Sequence, residues 1–387
     1  MSERIRTDLL IVGAGPFGLA LAAAASDAGI EHVIAGEAMS FWRDHMPSKM
    51  LLRSDTDWHL DPAGVHTIEA FLQATSRDPN AVRPLPRDLY LEYTAWFQEQ
   101  KGLEPRPQRI TTLGLDEASG RFEAIAGDTV YDAANVVLAL GFEYFKNLPA
   151  ELDALIPAGR LGHTCDIVDF GRFAGRDVLI IGGRQSAFES AALVAEAGAR
   201  RVHLAYRHDT PAFETSDWSW VGPMMQRFLD DPSWYRRLST DEKVELNRRF
   251  WAEGRLRLEP WLAPRIRRDN VFLHPRTTVN NVDDAAGRLK LALDNGEVLT
   301  VDDVLLATGY RVDLARIPFL DAGGLLQLLE VADGFPVLDE HLESSVPGLY
   351  FTSMTATRDF GSFFAFTVSA PVAAQIAARA IKERVKS

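Results

Sequence analysis

The 387-residue sequence predicts an α/β fold of two Rossmann-like dinucleotide-binding domains, with β-meanders and a helical insertion. Three observations predict it. Two glycine turns, Gly13-Ala14-Gly15-Pro16-Phe17-Gly18 and Gly182-Gly183-Arg184-Gln185-Ser186-Ala187, each follow a short apolar run. Each is answered downstream by a small-residue turn, Ala139-Leu140-Gly141-Phe142 and Ala307-Thr308-Gly309-Tyr310. The pairs keep register: Gly13 and Gly182 stand 169 residues apart, Gly141 and Gly309 168.

The elements follow in order. Thr7 to Val12 reads as a buried strand, Pro16 to Ala28 as an Ala-rich helix stopped by Gly29, and His32 to Ala35 as a second strand. Arg121 to Tyr131 reads as a hairpin around Gly127-Asp128. The later half repeats the plan with strand Val178 to Ile181, helix Gln185 to Ala197, Gly198 as stop and strand Arg201 to Tyr206. Arg288 to Val301 alternates around the turn Asn295-Gly296. Residues 210–265 are helical in pattern and hold five of the eight tryptophans, which suggests an insertion covering a site. A last helix is expected from about Phe364 to Lys386. These elements divide the chain into a discontinuous first domain, 1–150 with 307–387, and a second domain, 151–306, carrying the insertion.

Hydrophobic content of 47% and charged content of 25% are those of a globular protein. A net charge of −13 argues against nucleic acid as a partner. The single cysteine, Cys165, excludes a Cys-x-x-Cys pair and a thiolate zinc site, and the histidines show no metal-ligand spacing, so no metal is expected. The apolar start is broken by Gly13, Gly15, Pro16 and Gly18, unlike an export signal, and no run is long enough to cross a membrane. A cytoplasmic location is expected. The sequence leaves oligomeric state open, a homo-oligomer included.

The glycines of the first turn have separate tasks. Gly13 permits the bend, Gly15 lets the backbone approach a pyrophosphate, and Gly18 lets the helix pack on the strand. Pro16 and Phe17 open that helix, whose N-terminus favours anions. Glu37 ends the second strand, 19 residues after Gly18, where a carboxylate would accept from a ribose. The second turn differs. Arg184 stands where the middle glycine would be, either to pair with phosphate or to obstruct it. Arg207 follows the second strand, where an arginine favours the extra phosphate of NADP.

With these motifs the chain resembles the class B flavin-dependent monooxygenases over nearly its whole length. Gly13 to Gly18 with Glu37 is similar to their FAD fingerprint, and Gly182 to Ala187 with Glu189 to their NADPH fingerprint. Gln185-Ser186-Ala187 and Ala307-Thr308-Gly309-Tyr310 resemble the N-hydroxylating ornithine and lysine branch. Pro157, Gly159 and His163 fall where the flavin-monooxygenase signature Phe-x-Gly-x-x-x-His would lie. The resemblance implies two cofactors, FAD and NADPH. It implies oxygenation of a small organic substrate by dioxygen through a flavin hydroperoxide, as N-oxidation, S-oxidation or Baeyer–Villiger insertion.

It also implies site residues. Trp42, Arg43 and Arg53 would lie along the flavin, with Gly141 and Gly309 at the closing turns and Tyr310 toward NADPH. Asp359 and Gly361 would precede a C-terminal helix aimed at the flavin ring, with Phe363, Phe364 and Phe366 as walls. Arg53, Asp57 and Asp359 are the candidates for roles in catalysis, and Trp58, Trp218 and Trp220 for substrate contact. His163 is a candidate for nicotinamide contact. The competing expectation is an FAD-dependent NAD(P)H oxidoreductase that passes electrons to a protein or quinone.

Overall fold

In the computed structural model, which describes residues 3–157, 159–285 and 287–386, the two glycine turns sit at the ends of two separate sheets. In the first sheet, Glu3–Val12 lies parallel between His32–Ala35 and Thr129–Leu138. Leu9, Leu10 and Ile11 are fully buried, the continuous apolar run of a strand covered on both faces. The first half of Thr129–Leu138 pairs antiparallel with Arg121–Ala126, and its end pairs parallel with Leu349–Phe351. Thr112–Asp116 adds an edge strand beyond Arg121–Ala126. The helix Pro16–Ala28 buries its alanines against the sheet and the C-terminal helix Ala370–Lys386, and Gly29 ends it in the left-handed conformation (φ 71°).

The second sheet is wholly parallel, in the order Val271–Pro275, Arg201–Tyr206, Asp177–Ile181, Asp303–Leu306, Leu161–His163. Helix Gln185–Glu196 covers it. The expected hairpin around Asn295-Gly296 is present as Arg288–Leu293 and Val298–Val301, joined by a third strand, Val279–Ala285. The duplication extends to atomic detail. Gly13 (φ 109°) and Gly182 (φ 152°) are both in conformations that side chains avoid. A Cβ on Gly13 would collide with the carbonyl oxygen of Ala139, and one on Gly182 with that of Ala307.

Residues 210–265 are mostly helical, with Val221–Asp230, Trp234–Arg237 and Thr240–Phe250, the last started by a Ser239/Glu242 capping box. These helices leave the second unit in sequence but pack on the core of the first. Phe228 meets Phe364 and Phe360 at ring-centroid distances of 4.9 and 5.9 Å. Helix Thr240–Phe250 runs into a five-residue π-helical turn, Trp251–Arg255, a distortion often found at functional sites.

The last helix corrects the sequence expectation. It begins at Ala370, not near Phe364, with Pro371 in its first turn. Residues 362–369 form two short 3₁₀ turns instead. Burial of Phe363 and Phe364 against the insertion fixes that path, and the Ser369 hydroxyl donates to the Phe366 carbonyl.

Candidate active site

The first glycine turn borders a cavity of about 340 Å³, lined by Gly13, Gly15, Pro16, Phe17, Glu37, Trp42 and Gly141. Gly15 is extended (φ −80°, ψ −170°), so its backbone tolerates any residue. A Cβ there would meet no protein atom within 4 Å. The space beside Gly15 is therefore open to the cavity. The helix behind it has no side-chain cap, leaving its positive end to the cavity. A dinucleotide pyrophosphate fits this cradle. Two non-glycine residues at positive φ, Met39 (53°) and Ser353 (65°), also line it, strain of the kind that collects at ligand sites.

Glu37 stands exposed at the rim. Its Oε1 accepts from Arg43 Nη2 at 2.7 Å. Arg43 lies outside the lining and pairs with Glu37 and Asp44, so it positions the acid rather than facing the cavity.

A second cavity of about 330 Å³ opens from the first, and the two share Phe41, Trp42, His45, Phe142, Ala365 and Thr367. The second glycine turn contributes Arg184, Gln185 and Ser186 to its wall, and the closing turn Gly309 and Tyr310. The lining also holds Arg53, Trp58, Trp218, Phe250 and Phe366. Trp58 and Trp218 lie 6.2 Å apart, and the Arg53 guanidinium is 5.6 Å from the Trp218 ring. Arg53 is held by Glu259 (3.0 Å), the Ser216 hydroxyl (2.6 Å) and the Gly254 carbonyl (3.0 Å). It is a fixed part of the wall. A Cβ on Gly254 would run into the Trp218 ring. Gly254→Ala is expected to displace that indole and cost about 1–3 kcal/mol, measured by denaturant unfolding.

Arg184 occupies the position that matches Gly15. Its backbone is ordinary (φ −111°), and its guanidinium stacks 4.3 Å from the Trp251 ring. Its Nη1 donates to the Arg255 carbonyl at 3.3 Å. Burial and nearby Arg207 lower its pKa. Among the described residues no carboxylate pairs with it. Arg207 is exposed and lies outside the lining, and Gly182 and Gly183 shape the turn from behind, against Ala307, Tyr206 and His208.

Glu189 is buried beside the cavity, where it accepts the Leu51 backbone N–H at 2.7 Å and ties helix Gln185–Glu196 to the loop of the first unit. Burial raises its pKa from 4.5 to about 8, with Arg265 at 4.0 Å only partly opposing this. The folded state thus holds a proton that the unfolded state releases, and stability falls as pH rises from about 4.5 to about 8. Glu189→Gln keeps the acceptor without the charge. Its melting temperature is expected to gain on the parent across that window and to hold a constant advantage above it.

Several expected residues lie elsewhere. His163 is buried behind Tyr310, 5.5 Å between ring centroids, and does not line the cavity; its Nε2 contacts the Gly309 carbonyl and its Nδ1 the Cys165 sulfur at 2.9 Å. Cys165 reaches the cavity, but burial pushes its thiol up to about 11, so it is not a thiolate at neutral pH. Asp57 is exposed outside both cavities. Asp359 accepts from the Leu338 N–H and pairs with Arg358, away from the cleft. Gly361 packs on the Tyr235 ring, and Trp220 stacks edge-on to Phe363 outside the main cavity. Asp359 and Gly361 are displaced because the last helix starts later, so Ala365 and Thr367 take the expected place at the cavity junction. Sequence reading also passed over His45 and Arg255, which no motif marks.

The family described as pyridine nucleotide-disulphide oxidoreductase matches residues 10–248. The chain belongs to that family. A probable indole-3-pyruvate monooxygenase of Arabidopsis thaliana is 25% identical, over 89% of this chain and 84% of its own length. An FAD-dependent urate hydroxylase of Xanthomonas campestris is 27% identical over 33% of this chain and 28% of its own. Among solved structures, the ornithine hydroxylase of Pseudomonas aeruginosa covers 98% of this chain and 100% of its own at 19% identity (TM-score 0.79). An ornithine N-hydroxylase of Kutzneria sp. 744 covers 99% and 100% at 18% identity (TM-score 0.80). By its family the chain is an oxidoreductase, and over most of its length it is similar to flavin monooxygenases. No described helix is long and apolar enough to cross a membrane.

Proposed function

We propose that the chain is an FAD- and NADPH-dependent monooxygenase that transfers one atom of dioxygen to a nitrogen, sulfur or carbonyl carbon of a small organic molecule. The observation that carries this reading is the junction of the two cavities. A trench with a pyrophosphate cradle opens, through Phe41, Trp42, Phe142, Ala365 and Thr367, into a chamber walled by aromatic rings and bordered by the second glycine turn. Such a layout supports a flavin ring at the junction, with reductant and substrate reaching it from the chamber.

Bound FAD would supply the hydride acceptance and oxygen activation. The chain's residues hold and shield it. Gly13 and Gly18 shape the turn, Gly15 admits the pyrophosphate, and Glu37, steadied by Arg43, takes the ribose. Arg184 and Arg207 bear the positive charge for NADPH phosphates, and Gln185 and Ser186 open the helix beside them. Trp58, Trp218, Phe250 and Phe366 keep water from the ring. The domain division at 150 and 307 is proposed with these roles; it is supported by the first core, which draws on 9–145 and 312–381. Helices 221–250 join that core and act as its lid.

Oxygen uptake and NADPH oxidation with panels of amines, sulfides and ketones test the proposal. Substrate-stimulated uptake with an oxygenated product is expected. Turnover only with quinone or protein acceptors would replace it with the electron-transfer reading.

A further inference from the structure

Arg255 ends the π-helical turn and lines the chamber. Its guanidinium lies among three rings, 5.4 Å from Phe250, 5.7 Å from Trp251 and 5.4 Å from Phe366. Its Nε is buried without a hydrogen-bond partner, and among the described residues no carboxylate pairs with it. The charges near it are Arg53 and Arg184, both positive, and burial among them lowers its pKa to about 10. Arg53 is answered by Glu259; Arg255 is not. This is an unusual state in a chain with thirteen more acidic than basic residues. A buried donor left unpaired carries the full cost of its lost hydration. A bound anion would recover that cost with a charge-assisted hydrogen bond.

Position selects the anion. Arg184 stands at the N-terminus of helix Gln185–Glu196, on the side proposed for NADPH phosphate. Arg255 adjoins Arg184, whose Nη1 donates to the Arg255 carbonyl at 3.3 Å, but its own guanidinium reaches on to Phe366, adjacent to Ala365 and Thr367 at the cavity junction. It therefore faces the end of the chamber where a substrate would meet the flavin. We infer that Arg255 anchors the carboxylate of the substrate, and that the enzyme acts on an organic acid with an apolar or aromatic body. This inference rests on the monooxygenase reading for its substrate; the binding itself is measurable without turnover.

The test titrates the full chain with phenylacetate and with phenylacetamide, which share a body and differ in charge, and follows quenching of tryptophan fluorescence. The acid is expected to bind at least about tenfold tighter than the amide. Arg255→Gln should bring the ratio to about one, and Arg255→Lys, which keeps the charge, should retain part of the preference. Equal binding of the two probes, no binding of either, or a ratio unchanged in Arg255→Gln would overturn the inference. So would a loss of NADPH affinity in Arg255→Gln with the ratio intact, which would make Arg255 a phosphate ligand. Failure of the monooxygenase reading shows separately, as an absence of oxygen uptake with an intact probe preference.

Discussion

Gly15→Val is expected to give a folded but colourless protein. The backbone at Gly15 (φ −80°, ψ −170°) is one that valine adopts readily, and the new side chain would meet no protein atom within 4 Å of its Cβ. The cost to the fold is limited to a poorer helix start, about 1 kcal/mol. The valine methyls would instead fill the space proposed for the pyrophosphate. FAD affinity should fall at least about 100-fold, about 2.7 kcal/mol, read as the flavin-to-protein absorbance ratio after purification. Gly18→Ala provides the contrast. Its Cβ would strike the Gly13 carbonyl, so helix and strand must separate, and stability and flavin should be lost together. Full flavin content in Gly15→Val would show that no cofactor passes this turn.

Arg184→Ala is expected to weaken NADPH binding by about 10- to 100-fold while leaving FAD in place. Arg184 contributes little to the fold, because its polar contact is one carbonyl at 3.3 Å and its ring contact is with Trp251, itself 40% exposed. Its charge is half-buried and unpaired beside Arg207, an arrangement that gains most when a phosphate arrives. Anaerobic flavin reduction at a series of NADPH concentrations measures the effect. Unchanged or tighter binding would mean that the side chain obstructs the second turn.

Much of the fold was legible because its punctuation is local. Helix Pro16–Ala28 and strands His32–Ala35 and Arg201–Tyr206 match their expected bounds, each set by a glycine, a proline or a short apolar run. The duplication was legible because Gly13 and Gly182 must both clear a carbonyl from a distant strand. What could not be read depends on contacts across the chain. The start of the last helix is set by Phe363 and Phe364 packing on an insertion more than a hundred residues earlier, and the misplacement of Asp359 and Gly361 follows from it. Arg255 looks like one charge among many at the end of a polar helix. Only the fold reveals that it lies among three rings without an acid.

The most direct test of the central claim is an anaerobic titration of the purified chain with NADPH, followed by visible absorbance and then by admission of oxygen. The account predicts a yellow protein with about one FAD per chain, bleached by one equivalent of NADPH and recoloured as one equivalent of oxygen is consumed. A protein that holds no flavin and cannot be reconstituted with it, or a bound flavin that NADPH leaves oxidised, would contradict the account.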